Sequence, residues 1–125
     1  MATPIQIVID CADPLRQADF WVEALHYERE ESQVDWAAIR DPGGRGPRVY
    51  FQRVPEPKTA KNRMHVDLAV GGAAGSPLEE RKRLVTAEVE RLKALGATDA
   101  RGAIEEGGQF WVRMNDPEGN EFCVQ

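Results

Sequence analysis

Cysteine and histidine are scarce in this chain. There are two of each in 125 residues: Cys11 and Cys123, His26 and His65. Two widely spaced cysteines point to reduced thiols in a cytoplasmic protein rather than to a disulfide framework. Long apolar runs are missing too, so nothing here is expected to span a bilayer. The opening Met1-Ala2-Thr3-Pro4-Ile5 lacks the basic stretch and apolar core of a signal peptide. A basic excess is also absent: 16 Lys and Arg face 21 Asp and Glu, a net charge of −5. Nucleic acid and anionic membranes call for the opposite sign, so neither is expected as a partner. No run of like charge is long enough to form a tail.

What remains is an ordinary globular balance, 42% hydrophobic and 30% charged, enough for one domain with a real core. Ile5 to Asp10 reads as a strand. Asp13-Pro14 then starts a helix, the aspartate as cap and the proline at the first helical position. Leu15, Ala18, Trp21, Val22 and Leu25 fall on one helical face, with Trp21 read as core, and the helix ends near His26-Tyr27. His26 is read as structural or exposed. Strands are predicted around 27–34, 36–40 and 49–54, with a turn at Asp41-Pro42-Gly43-Gly44. Residues 56–62 read as a linker. The order then restarts: a strand over Met64 to Val70, a glycine-rich loop over Gly71 to Gly75, and a helix from Ser76-Pro77-Leu78-Glu79 with capping-box spacing. Leu78, Val85, Val89 and Leu92 mark its buried face, with Leu84 and Leu95 beside it. Gly96 closes the helix. Strands follow around 98–104, 110–114 and 121–124.

The chain therefore reads β-α-β-β-β twice, module one over about 4–55 and module two over about 63–125. A sequence echo supports a repeat. Trp36 to Gly44 and Trp111 to Gly119 both read W-x4-D-P-x-G, each followed by a strand containing phenylalanine. The runs Gly43-Gly44-Arg45-Gly46 and Gly71-Gly72-Ala73-Ala74-Gly75 lack the strand-to-helix context of a phosphate loop and are read as loops.

Three segments carry a family resemblance: Asp13 to Leu25, Asn62-Arg63-Met64-His65-Val66-Asp67-Leu68, and Asp116-Pro117-Glu118-Gly119-Asn120-Glu121-Phe122. With the repeat, they make the chain resemble the vicinal oxygen chelate superfamily, in its short glyoxalase-like and bleomycin-resistance-like form. The resemblance implies an α+β fold in which two βαβββ modules form a half-barrel cup. It also implies a homodimer. In metal-bearing members the ligands lie on the first and last strands of each module. Here those positions fall on Gln6, Gln52, His65 and Cys123, Gln52 being chosen by aligning Phe51 with Phe122.

Of that quartet only His65 is a usual ligand. Cys123 would serve zinc as a thiolate, and neutral glutamine amides add no charge to offset dehydration of the ion. The expectation is a cup without a catalytic metal or other cofactor. Glyoxalase chemistry in the strict sense is then not expected, since it needs an ion to stabilise the developing enolate. His65 remains as an acid, base or hydrogen-bond donor, or as a histidine bonded across the sheet. Cys123 and Cys11 read as small buried residues without a nucleophile motif. Trp36 and Trp111 occupy matching places, as walls of the cup or as core under the helices. Asp67 shares the side of His65, to orient it, to bind a ligand amine, or to pair with Arg53 or Arg113.

Three functions stay open. The first is a small-molecule pocket lined by Gln6, Gln52, His65, Cys123, Trp36 and Trp111, serving binding or metal-independent catalysis through His65. The second is a metal-dependent lyase or dioxygenase-type enzyme using His65 and Cys123. The third is an antibiotic-sequestering protein that holds an aromatic or cationic compound.

Overall fold

A computed structural model describes residues 1–125. The elements are β1 (Gln6–Cys11), α1 (Pro14–Leu25), β2 (Glu28–Arg29), β3 (Trp36–Arg40), β4 (Arg48–Arg53), β5 (Asp67–Leu68), α2 (Leu78–Leu95), β6 (Thr98–Glu106), β7 (Gln109–Asn115) and β8 (Glu121–Val124). The chain divides into two compact units, Met1–Lys58 and Thr59–Gln125, and the boundary falls inside the segment read as a linker. Each unit is an open four-stranded sheet with one helix. The strand orders, β1-β4-β3-β2 and β5-β8-β7-β6, are the same arrangement twice. In each the first strand runs parallel to the last, and the remaining pairs are antiparallel. No helix is long and apolar enough to cross a membrane.

Alternation along the strands decides which face each helix covers. In the first unit Ala37, Ile39, Val49 and Phe51 turn to α1 and pack against its Ala18, Phe20, Trp21 and Ala24, all buried. In the second unit Phe110, Val112, Met114, Phe122 and Val124 turn to α2 and meet Val85, Val89 and Leu92. Asp13 caps α1 by accepting from Arg16 N at 3.2 Å. His26 ends it in the left-handed region, at φ 56°.

Three local expectations are corrected. Ser76 does not cap α2: its hydroxyl donates to Ala73 O at 2.7 Å, and Pro77 takes the cap position, so the helix starts at Leu78. The fourth expected strand, Met64 to Val70, shrinks to Asp67–Leu68. It is an edge strand, and its one partner, β8, is only four residues long. The strand expected over 27–34 shrinks to Glu28–Arg29, because the chain turns tightly between Gln33 and Trp36, each N–H donating to the other's carbonyl. Leu95 is exposed, while Leu78 and Leu84 are half-buried.

The echoed D-P-x-G turns share a mechanism. Asp41 accepts from the backbone N–H of Gly43, Arg45 and Gly46 at 2.8, 3.0 and 2.8 Å. Asp116 accepts from those of Glu118 and Asn120, both at 2.9 Å. Gly44 and Gly119 hold the positive φ that each turn needs, 69° and 85°. The turns differ in length. Ala37, one residue past Trp36, pairs with Phe51, fourteen positions on. Val112, one past Trp111, pairs with Val124, twelve positions on. The loop of the first unit is two residues longer.

Candidate functional site

The second unit places its polar residues on the face of the sheet opposite α2. Asn62 fixes the entry to β5. Its backbone N–H donates to Glu121 Oε2 at 3.0 Å, and its side-chain amide donates to Asn120 Oδ1 at 3.2 Å. The start of β5 is thus tied to the turn that Asp116 organises. From there β5 runs along β8, with Cys123 N donating to Val66 O and Gln125 N to Leu68 O. Strand alternation then puts His65 and Asp67 on the open face, while Leu68 is buried toward the helix.

These side chains line an open pocket of about 300 Å³, with Gln109, Trp111, Arg113, Cys123 and Gln125 on its other sides. Its floor is one row across the sheet: Asp67 pairs in register with Cys123, and Cys123 with Arg113. His65 Nε2 lies 3.3 Å from Asp67 Oδ1. Burial pushes the Cys123 thiol above its ordinary pKa and the Asp67 charge adds to this, while Arg113 and Lys61 pull the other way. The thiol therefore stays protonated at neutral pH and is a poor nucleophile on its own. Asp67 pairs with His65, and Arg53 with Asp35 of its own unit at 3.6 Å. Asp67 is thus beside the imidazole and also faces the pocket.

Trp111 is half-buried and lines the pocket, so it is a wall and not core beneath α2. The other expected site residues lie in the first unit, also on the face opposite the helix. Gln6 Oε1 accepts from Arg48 Nη1 at 2.6 Å. Trp36 pairs in register with Gln52, which is exposed. Trp36 stacks on Tyr50, ring centres 5.8 Å apart and planes 9° apart, and the Arg48 guanidinium carbon lies 5.6 Å from the centre of the Tyr50 ring.

Strand register revises one equivalence. Cys123 pairs with Arg113, two residues past Trp111, and the residue two past Trp36, Ala38, pairs with Tyr50. Tyr50, not Gln52, is therefore the first-unit counterpart of Cys123. Aligning Phe51 with Phe122 misses this because the longer first loop offsets the two strands. Gln109, Arg113 and Gln125 went unnamed as site residues, although period two from Trp111 and Cys123 reaches all three.

The fold family implies a divalent metal, and the donors can be tested for it. The first-unit positions, Gln6 and Tyr50, offer no charged ligand. The second unit does better, because Asp67 joins the set: ligand atoms of His65, Asp67 and Cys123 all lie within 4.8 Å of one another. Imidazole, carboxylate and thiolate together fit an ion of borderline softness. When bound, such an ion supplies Lewis-acid polarisation of a ligand oxygen.

A family model described as a glyoxalase-like domain matches residues 6–125. Among curated proteins, none matches the sequence. Solved structures that resemble the chain include a glyoxalase/bleomycin resistance protein/dioxygenase family enzyme from Burkholderia phytofirmans, at 17% identity and TM-score 0.72, covering 95% of this chain and 94% of that one. A fosfomycin resistance protein from Listeria monocytogenes matches at 15% identity and TM-score 0.72, covering 99% and 92%. The bleomycin-binding protein of Streptomyces verticillus, complexed with copper(II)-bleomycin, matches at 19% identity and TM-score 0.61, covering 100% and 96%.

Proposed function

The chain belongs to the glyoxalase-like domain family, and from that premise we propose that it binds a small polar molecule on the open face of its second module. The observation that carries this reading is the row Asp67–Cys123–Arg113 in one pocket with His65 and Trp111. Arg113 offers a cation for an anionic group, Asp67 and His65 offer an acceptor and a titratable nitrogen, and the indole offers a flat apolar wall. His65, held by Asp67, is the group placed to move a proton if turnover accompanies binding. The test is a thermal-shift and Trp-emission screen of small polar acids, amides and amines. Hits should lose at least tenfold in affinity in Arg113→Ala or Trp111→Ala. A ligand whose affinity neither change alters sinks the reading.

One observation favours a second reading, sequestration of a flat aromatic compound. The Trp36–Tyr50 stack, with Arg48 beside it, forms an aromatic surface on the first module. Under this reading Trp36→Ala abolishes binding and Trp111→Ala spares it; under the first the two exchange roles. Cys11 and Cys123, with no disulfide between them, suit a cytoplasmic location. A homodimer is part of the proposal. Ile5 beside β1 and Met64 beside β5 are 72% and 87% exposed next to edge strands, where a second copy would cover them.

A further inference from the structure

We propose that the second-module pocket recognises a free α-amino acid with a flat or apolar side chain, held as a zwitterion between Arg113 and Asp67. The inference rests on the small-molecule reading above and names its ligand class. Asp67, Cys123 and Arg113 are successive register partners on β5, β8 and β7, and all three line the pocket. Opposite charges therefore stand two strands apart, about 9.6 Å between backbones, with a protonated thiol between them. Asp67 pairs with His65 and not with Arg113. Two charge-assisted contacts of about 2.8 Å each, with the roughly 3 Å from an α-nitrogen to its own carboxylate, span about 9 Å. An amino acid laid across Cys123 fills that gap, its carboxylate on Arg113 and its ammonium on Asp67.

The surrounding charges favour both ends together. A bare anion on Arg113 would face Asp67 at about one Debye length or less. A bare amine on Asp67 would face Arg113 and Lys61, the cations that act on Cys123. A zwitterion meets each charge with its opposite and adds no net charge. Asp67 keeps its contact to His65, because a carboxylate has about four acceptor sites and the ammonium needs one. The outer flank of Arg113 is clear, since its register partner on β6 is Gly102, which adds no side chain. The ligand's own side chain leaves from the carbon between the two charged groups. One row along the strands, about 6.7 Å away, Trp111 and its register partner Ile104 stand half-buried on the same face. They supply an apolar platform for a ring or a branched chain. The pocket volume of about 300 Å³ is at the small end for ligand sites and suits a single amino acid.

The test is isothermal titration calorimetry of the full chain with L-phenylalanine, L-leucine and two half-analogues, phenylpropanoate without the amine and phenethylamine without the acid. Both amino acids should bind the wild type, and each half-analogue should bind at least about tenfold more weakly than phenylalanine. Glycine should also lose at least about tenfold, because it leaves Trp111 and Ile104 uncovered. Asp67→Asn should abolish the preference for phenylalanine over phenylpropanoate, and Arg113→Gln the preference over phenethylamine. Arg101→Gln, outside the pocket, should change neither. Far-UV circular dichroism verifies that each variant folds, and the wild-type series needs no variant. A half-analogue that binds the wild type as tightly as phenylalanine overturns the amino-acid assignment and leaves the small-molecule reading standing. So does a wild type that binds neither amino acid while the wider screen yields hits dependent on Arg113 or Trp111. Phenylalanine affinity unchanged in both Asp67→Asn and Arg113→Gln overturns the placement between them. A screen without a hit of any kind, amino acids included, overturns the small-molecule reading itself.

Discussion

Asp116 is 2% exposed and lies at the junction that holds the second module's site. Its carboxylate accepts two backbone N–H bonds at 2.9 Å, and the Asn120 amide at 3.0 Å. Bonds to a charged acceptor contribute about 1.5–3 kcal/mol each when fully buried. These donors are only partly buried, so water replaces part of what is lost, and about 1 kcal/mol per bond is the reasonable scale. Asp116→Ala should therefore cost about 2–4 kcal/mol. Asp116→Asn keeps one acceptor oxygen and should cost about half as much. Urea unfolding followed by tryptophan emission measures both. With a slope of about 1.5 kcal/mol per molar, the alanine variant moves the midpoint down by about 1.3–2.7 M. Because Asn120 and Glu121 also hold Asn62, the alanine variant should raise amide exchange at Asn62 and along β5 before global unfolding. A midpoint shift under about 0.3 M, or equal costs for the two substitutions, would refute the turn as the anchor of the site.

Three other outcomes are expected. Asp41 is held below the ordinary carboxylate range first by the Gly46 and Gly43 N–H groups, against slight burial, with help from Arg45. A depressed folded pKa stabilises above the unfolded value of about 3.9 and is lost as pH falls through the folded one, so Asp41→Asn should flatten the acid limb of a stability–pH curve between about pH 5 and pH 2. Leu92, fully buried under the second sheet, should cost about 2–5 kcal/mol as alanine in chemical denaturation, and a smaller loss would mean the helix is not packed as described. Light scattering should give twice the 14.0 kDa chain mass for the wild type and one chain for Met64→Glu; a monomeric wild type rules out the dimer.

The fold was legible because its signals are local and repeated. Asp13-Pro14, Gly96 and the two D-P-x-G turns each impose one backbone geometry, and the apolar stripe of α2 follows helical period. The misses share a cause, in that each was decided by a competing backbone partner that residue patterning does not reveal. The length of β5 is set by β8, and Ser76 was drawn to Ala73. The equivalence of Tyr50 with Cys123 is set by hairpin register, which a phenylalanine-to-phenylalanine alignment does not see. For the site, alternation alone was enough to face His65, Asp67, Trp111 and Cys123 the same way. Their convergence within one module needed the parallel pairing of β5 with β8, which no residue pattern announces.

The two-residue difference between the loops has a consequence for how such a repeat can diverge. Side chains alternate with period two, so two extra residues slide β4 along its partner and return every side chain to its original face. Phe51 still meets the helix, and Tyr50 and Gln52 still face outward. A single inserted residue would have turned Phe51 to solvent and Tyr50 into the core. Parity therefore filters the insertions such a hairpin tolerates. Even steps are tolerated, and each one hands the same outward positions to a new set of side chains, here a tyrosine in the first copy where the second has a thiol.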